Sequence, residues 1–345
     1  MHKEAIERVN TAIEAVRSGK MVIMIDDEDR ENEGDLVYAA AMSTPQMVNF
    51  MAMEARGLIC VALEGEAACR LELNPMVSSN TANHETAFTV SVDAAEASTG
   101  ISAAERDLTI RLLADPASRP ADLVRPGHIF PLTAKPGGVL VRTGHTEGSV
   151  DLCRLAGLAP VGVICEVIKD DGTMARRDDL DLFSQKHNIP IVYIADLIAF
   201  RLMRESLVRS DGQESGHFMG TPVTITRWRD HLDRLHRALL FGTPETATTV
   251  KFHTVGSDAA FLLNPTKYEG MRKAVDRLQK RGGVLVLMDD HTYHHEEAIK
   301  EFGIGAQILK ALGVERLTLL ATRHVDEPVA LSGFGLEIVG EEVLG

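Results

Sequence analysis

The sequence holds no apolar run of about 18 residues or more, so it offers no membrane span. Its N-terminus, Met1 to Gly19, mixes acids and bases through a helical pattern and lacks the apolar stretch of a secretion signal. Cysteines are few: Cys60, Cys69, Cys153 and Cys165, none spaced C-x-x-C and all before residue 170. Set in or beside apolar sequence such as Leu58-Ile59-Cys60-Val61, most of them read as reduced, buried thiols of a cytoplasmic protein, not as a disulfide framework. Basic charge is short too. With 50 acids against 36 bases the formal net charge is −14, which argues against a broad nucleic-acid-binding surface. Internal repeats and low-complexity tracts are absent. What remains is a composition ordinary for a folded chain, 45% hydrophobic and 25% charged over 345 residues. That length suits about two domains, each with a core of its own.

The polar stretch from Glu205 to Gly220 divides the chain. It reads as a linker over 206–220, between a domain at 1–205 and a second at 221–345. Both halves alternate strand-like and helix-like segments, an α/β (mixed α+β) pattern. In the first, helices are expected at Ile6–Ser18, Pro45–Ala55, Ala103–Ala114 and Asp179–His187. Strands are expected at Met21–Ile25, Gly57–Leu63, Ala87–Val92, Val139–Val141, Val161–Ile168 and Ile189–Ile194. In the second, helices are expected at Leu232–Leu240, Met271–Gln279 and Ala306–Leu312, and strands at Thr249–Val255, Gly283–Met288 and Arg316–Ala321.

Chemistry concentrates in the first half. Asp26 to Asp35 holds seven carboxylates in ten residues, directly after an apolar strand. A run of charge is ordinarily a solvated face. Here it leaves the end of a buried strand, where α/β proteins place their ligands. Two like charges about 5 Å apart repel by roughly 0.8 kcal/mol in water, and by about 3 kcal/mol at an effective dielectric near 20. A divalent cation relieves that repulsion, and oxygen ligands suit Mg²⁺ or Mn²⁺. Arg30, amid the acids, can hold a phosphate or steady the loop. Further on, Gly137 to Glu147 presents Arg142, Thr143, Gly144, His145 and Thr146. Glycine lets backbone N–H groups approach an anion, so this segment suits a phosphate cradle. His145 can ligate a metal or move a proton. The same segment also suits a strand-to-helix turn capped by Thr146, and both readings can hold at once. Arg125-Pro126-Gly127-His128 presents a second histidine. Glu166 sits inside an apolar strand, where a carboxylate is costly unless paired or functional. Acids, histidines, a metal and a phosphate cradle together suit metal-assisted proton abstraction beside a carbonyl on a sugar phosphate.

Eight segments in order carry a resemblance: DDEDRENEGD at 26–35, GLIC at 57–60, TAFTVSVD at 86–93, TGISAAER at 99–106, RPGHIFPL at 125–132, GGVLVRTGHTEGSVDL at 137–152, GVICEV at 162–167 and DDGTMAR at 170–176. With them, residues 1 to about 205 resemble the 3,4-dihydroxy-2-butanone 4-phosphate synthases of riboflavin biosynthesis. The resemblance implies a Mg²⁺-dependent lyase that converts D-ribulose 5-phosphate to formate and 3,4-dihydroxy-2-butanone 4-phosphate. It implies Glu31 and His145 as metal ligands, and Arg30, Asp35 and Arg142 to Thr146 as substrate contacts. It implies His128 and Glu166 as indispensable groups, Cys60 as a neighbour of the site, and a homodimer with sites near the subunit interface. Gly148 departs from the family, which usually has alanine there.

The second half resembles the C-terminal part of GTP cyclohydrolase II through Gly303 to Leu309, Leu312-Gly313-Val314 and Gly333 to Val339. That enzyme's zinc needs three cysteines, and no cysteine follows Cys165. Its Arg-Gly-Ile-Gly turn is replaced by Asp289 to Glu297, whose His291, His294 and His295 could in principle bind a metal. The expectation is a folded domain without the hydrolase activity, serving structure or regulation.

Overall fold

The computed structural model describes residues 2–28, 30–84, 86–231, 233–245, 247–289, 298–322 and 336–344. The chain divides into two compact units, Met1–Phe200 and Arg201–Gly345. The first has seven strands: β1 (Val22–Ile25), β2 (Gly34–Ala39), β3 (Cys60–Glu64), β4 (Val92–Ala94), β5 (Leu123–Ala134), β6 (Val161–Glu166) and β7 (Ile191–Tyr193). Its helices are α1 (His2–Arg17), α2 (Pro45–Phe50), α3 (Gly65–Arg70), α4 (Ala103–Ala114), α5 (His145–Leu155), α6 (Arg177–His187) and α7 (Ile194–Arg204), the last running past its boundary.

The strands order β4-β5-β3-β6-β2-β1-β7 in one mixed sheet. β3 runs parallel to β5 and β1 to β7, and the other pairings are antiparallel. The sheet is covered on both faces, and β1 shows it. Ile23 and Ile25 pack in one core with Leu36, Tyr38, Met51 and Ile110. Val22 and Met24 pack in the other with Val37, Val9, Val16 and Leu152. A strand buried on both faces reads as an unbroken apolar run, which is why 21–25 carries no alternation. The helix α1 meets this second core through Val9, Ala12, Ile13 and Val16, the spacing of a single apolar stripe. Burying each of its valines and its isoleucine contributes roughly 1.5–3 kcal/mol. α4 starts where Ser102 accepts the Glu105 amide at 3.2 Å, and stops ahead of Pro116.

Two strand expectations in this unit are corrected. Of 87–92, Phe88 and Thr89 make only single bridges, to Leu132 and Pro75, and the regular strand is β4. At 139–141 the chain forms a 3₁₀ turn, Gly138–Leu140. The reason is the glycine pair: Gly137 and Gly138 take φ of +95° and +63°. A Cβ on Gly138 would stand 2.2 Å from Asp151 Oδ2. The same carboxylate oxygen accepts the Val139 amide at 2.8 Å, so the turn is pinned to α5.

The second unit holds β8 (Val208–Phe218), β9 (Thr221–Asp230), β10 (Leu235–Phe241), β11 (Ala247–Val255), β12 (Gly283–Asp289), β13 (Arg316–Ala321) and β14 (Glu337–Val343), with α8 (Asp258–Leu262), α9 (Pro265–Arg281) and α10 (Ala298–Ala311). Their order is β14-β13-β11-β12-β10-β9-β8. The four strands from β14 to β12 are parallel and the remaining pairings antiparallel. Two expectations fail here. Residues 206–220 are no linker. β8 occupies most of them, and the turn at Met219-Gly220 leads straight into β9. Strand pairing needs only backbone groups, and an edge strand is free to be polar on both faces. Of the helix expected over 232–240, residues 235–240 belong to β10, which is buried on both faces from Ala238 to Phe241 and shows no strand alternation. Asp290 to Glu297, including the histidine tract, and Gly333-Phe334-Gly335 lie outside the described residues, as do Asp29 and Glu85. Among the described residues, no helix is long and apolar enough to cross a membrane.

Candidate active site

A polar cavity of about 130 Å³ opens at one end of the first sheet's inner strands, where β1 and β6 end and β2 and β3 begin. Register explains its membership. Asp35 pairs with Glu166 across β2 and β6, and Cys60 pairs with Ile164 two residues back. Residues two apart share a face, so the carboxyls of Asp35 and Glu166 and the thiol of Cys60 share one wall. The N-terminus of α5 brings His145 and Thr146 over that wall. The acidic run is the hairpin loop joining β1 to β2, which delivers Arg30, Glu31 and Glu33.

Asp26 builds that loop. Its Oδ1 accepts the Glu33 amide at 2.8 Å, and its Oδ2 accepts the Glu31 amide at 3.1 Å and Arg30 Nη1 at 2.8 Å. Arg30 also donates to Glu31 at 2.6 Å. Its buried guanidinium therefore steadies the loop. From outside, Arg176 donates to the Glu31 carbonyl at 2.6 Å and to the Asn32 carbonyl, and lies 3.7 Å from the Glu33 carboxylate.

His145 is buried and its two nitrogens are distinct. Nε2 donates to the Met24 carbonyl at 3.2 Å, which assigns the neutral ring's proton to Nε2. Nδ1 then faces Glu31 at 3.7 Å and Asp35 at 3.9 Å. Pairing with His145, helped by Arg30 and opposed by burial, holds Glu31 down to about 2. Burial pushes Asp35 up to about 7; the His145 charge opposes this, while Glu166 and Glu31 add to it. Burial disfavours the His145 imidazolium, yet Asp35, Glu31 and Asp26 together raise it to about 9. Asp35 Oδ1 is buried without a hydrogen-bond partner among the described residues. Asp26, Glu31 and His145 each offer a ligand atom, all within 4.8 Å of one another. Both Asp26 oxygens already accept amide or guanidinium hydrogens and Glu31 Oε2 accepts from Arg30, so the donors left for a cation are Glu31 Oε1, Asp35 Oδ1 and, once its proton is lost, His145 Nδ1. This set fits a hard divalent cation.

Glu166 accepts the Leu58 amide at 2.8 Å. Gly57 permits this, since a Cβ there would stand 2.4 Å from the Glu166 carbonyl and 2.5 Å from its carboxylate. Burial, with Glu166 and Asp35 nearby, drives the Cys60 thiol far up, so it lines the cavity as a neutral group. Cys153 and Cys165 are buried as expected, and Cys69 is exposed. Arg142 is held by Glu147 at 2.6 Å and reaches the His84 carbonyl at 2.9 Å and Thr86 at 3.1 Å. Buried Glu147 also accepts the Lys135 amide.

The cavity thus gathers Arg30, Glu31, Asp35, Cys60, Arg142, His145, Thr146 and Glu166. Thr143, Gly144 and His128 do not line it. Gly144, not Thr146, caps α5. His128 lies on β5, its Nδ1 2.7 Å from Asp93 and its side chain 44% exposed. Sequence reasoning missed Asp26, Glu33, Thr86, Asp93, Glu147 and Arg176. Asp26 and Glu33 stand inside the acidic run, and the other four fall inside or beside the matched segments, a signal that marked place without role.

Fold and cavity define an enzyme built around a charged, partly buried site for a small polar substrate. The family model of 3,4-dihydroxy-2-butanone 4-phosphate synthase matches residues 10–200, and that of GTP cyclohydrolase II matches residues 290–343. A 3,4-dihydroxy-2-butanone 4-phosphate synthase of Sulfurospirillum multivorans is 55% identical over 97% of this chain and 94% of its own length. The riboflavin biosynthesis protein RibBA of Aquifex aeolicus is 44% identical over 96% of this chain and 90% of its own. The crystal structure of RibBX, a two-domain 3,4-dihydroxy-2-butanone 4-phosphate synthase from A. baumannii, superposes with a TM-score of 0.84 at 41% identity, covering 97% of this chain and 99% of that one. A synthase solved with two magnesium ions superposes with a TM-score of 0.54 at 41% identity, covering 56% of this chain and 95% of its own. The chain belongs to the 3,4-dihydroxy-2-butanone 4-phosphate synthase family, lyases of riboflavin biosynthesis, and carries cyclohydrolase II-like sequence fused at its C-terminal end.

Proposed function

We propose that the first unit converts D-ribulose 5-phosphate to 3,4-dihydroxy-2-butanone 4-phosphate and formate, with Mg²⁺ held by Glu31 and His145. The observation that carries this reading is the buried Asp35 oxygen, without a hydrogen bond among the described residues, beside His145 Nδ1 and the Glu31 carboxylate. When bound, a divalent cation supplies Lewis acidity that stabilises negative charge developing on substrate oxygens, an effect worth several kcal/mol. The remaining work falls to side chains. Asp35, at about 7, holds or releases a proton near neutrality. Glu166, oriented by the Leu58 amide, is the second proton carrier. Arg142, Thr146 and the N-terminus of α5 suit the phosphate, with Thr143 and Gly144 shaping the turn. Cys60, Phe88 and Leu132 give the cavity its dry wall.

His128 stands outside this lining and largely exposed, which suits a group serving a site near a subunit interface of a homodimer. Mixing His128→Asn and Glu166→Gln variants, each inactive, is expected to restore part of the activity. No recovery in a confirmed mixed dimer overturns that placement. The second unit, without cysteine, is assigned structure or regulation in place of zinc-dependent GTP hydrolysis. Formate release tests the whole reading. Ribulose 5-phosphate with Mg²⁺ should yield formate, EDTA should stop it, and GTP should yield none. EDTA-resistant turnover refutes the metal role, and formate from GTP refutes the silent second unit.

A further inference from the structure

Asp93 lies outside the cavity, on the short strand β4. There β4 and β5 run out of step. Val92 pairs with Ile129 but Asp93 with Val124, so residues 125–128 pass opposite two adjacent residues of β4. Such an irregularity leaves backbone groups unpaired and re-aims side chains. Here side chains supply the missing partners. Ser91 Oγ accepts the Gly127 amide at 3.2 Å, and Asp93 Oδ1 accepts the His128 amide at 2.8 Å. The second oxygen of Asp93, Oδ2, stands 2.7 Å from His128 Nδ1. Two glycines permit the approach. A Cβ on Gly127 would stand 2.1 Å from the Val92 carbonyl carbon, and one on Gly100 would stand 1.9 Å from Asp93 Oδ2. Gly100 belongs to a loop that Glu105 ties down, accepting the Ser98 amide at 2.6 Å and the Thr99 amide at 3.2 Å.

The amide contact is enough to satisfy the backbone. The ring contact does something else. The His128 side chain is 44% exposed and that of Asp93 is 9% exposed, so a fixed group grips a solvent-facing one. An imidazole without such a grip turns freely and takes either tautomer. A carboxylate only accepts hydrogen bonds, so it keeps the ring proton on Nδ1 and leaves Nε2 unprotonated. We propose that Asp93 is the positioning residue of His128, fixing both the direction and the tautomer of its ring so that Nε2 serves as a general base. Nε2 takes a proton from the substrate, and the imidazolium that forms faces the Asp93 carboxylate. This rests on the reading of His128 as an indispensable group of the lyase.

Asp93→Asn separates the two contacts. Its carbonyl oxygen still accepts the His128 amide, while its NH₂ now donates to Nδ1 and drives the ring proton to Nε2. Formate release by the full chain, with ribulose 5-phosphate and Mg²⁺, should lose roughly a hundredfold or more in kcat, in line with general-base catalysis, while KM stays within about threefold. Asp93→Glu, which restores the acceptor, should recover at least about tenfold of that loss. Two-bond ¹H–¹⁵N spectra of histidine-labelled chain read the tautomer directly, with His128→Asn assigning the signals. Wild type should show the proton on Nδ1 of His128, and Asp93→Asn should show it on Nε2. A wild-type ring protonated on Nε2 overturns the proposal without any variant. So does a folded Asp93→Asn variant with unchanged kcat, or one that loses activity while the tautomer stays on Nδ1. Activity retained in His128→Asn overturns the underlying reading of His128 and the proposal with it, an outcome distinct from a wrong tautomer in an inactive His128→Asn background.

Discussion

The two units handle charge differently. Around His145, acids and bases interleave within 4 Å, and each holds another in place. In the second unit charges pair at the surface, as Arg229 does with Asp211 and Arg277 with Glu342. A mixed cluster can be assembled in advance, because each charge lowers the cost of burying its neighbour. It then presents a few uncommitted atoms with fixed geometry, as catalysis requires. A pair at the surface is screened by water and contributes about 0–1 kcal/mol. The first arrangement suits an enzyme that must act on every encounter. The second steadies a surface without presenting uncommitted atoms.

The sharpest way to break this contrast is to remove a metal donor. Glu31→Ala is expected to lower formate release by roughly a thousandfold, in line with several kcal/mol of lost charge stabilisation. Activity within tenfold of wild type would sink the assignment of Glu31. Next is the outer clamp. Arg176→Ala frees the Glu31 and Asn32 carbonyls, and should weaken Mg²⁺ binding roughly 10- to 100-fold while turnover at saturating Mg²⁺ is largely kept. A fall in saturated turnover with unchanged Mg²⁺ affinity would show that Arg176 does not act through the loop.

The pH dependence of the metal-free chain follows in size. Its folded His145 titrates near 9, above the ordinary value of 6.5, so the stability it contributes is complete below 6.5 and lost as pH rises through 9. Asp35 is raised from 3.8 to about 7, so its ionisation disfavours the folded state increasingly between those values. Both signs agree: in EDTA the unfolding temperature should fall from pH 6 to pH 9. Mg²⁺ should offset the fall and release protons on binding, seen as buffer-dependent heats. A flat profile in EDTA would mean that these charges do not meet in the folded chain. The smallest effect belongs to Gly148→Ala. Its new methyl would stand 2.5 Å from the buried Met24 sulfur, which must turn aside, and 3.6 Å from Ile194, while α5 gains about 1 kcal/mol of helix propensity. The unfolding temperature should move by a few degrees at most, with turnover unchanged. A large loss would show that Met24, which also supplies the carbonyl to His145, cannot shift.

Much of the site was legible because its signals are local. Seven carboxylates after a buried strand, Arg142 to Thr146 in one run, and Glu166 in an apolar strand each stand out within ten residues. The supporting groups were not legible, because their meaning lies across the fold. Asp93 grips His128 from 35 positions away, and Arg176 grips Glu31 from 145. Nothing beside either residue announces its partner. The misread segments share a cause as well. Val139–Val141 looked extended because composition carries no record of two left-handed glycines, and 206–220 looked like a linker because an edge strand needs no apolar face.

Those edges have a consequence for how the molecule behaves in a crowded solution. The outermost strands of the first sheet, β4 and β7, are three residues each, too short to template another chain. The outermost strands of the second are longer but charged: β8 carries Arg209, Asp211 and Glu214, and β14 carries Glu337, Glu341 and Glu342. Two copies meeting edge to edge would bring like carboxylates together along β14, or break the ion pairs that tie β8 to β9. Sheet growth from one molecule to the next is thereby disfavoured at all four outermost strands.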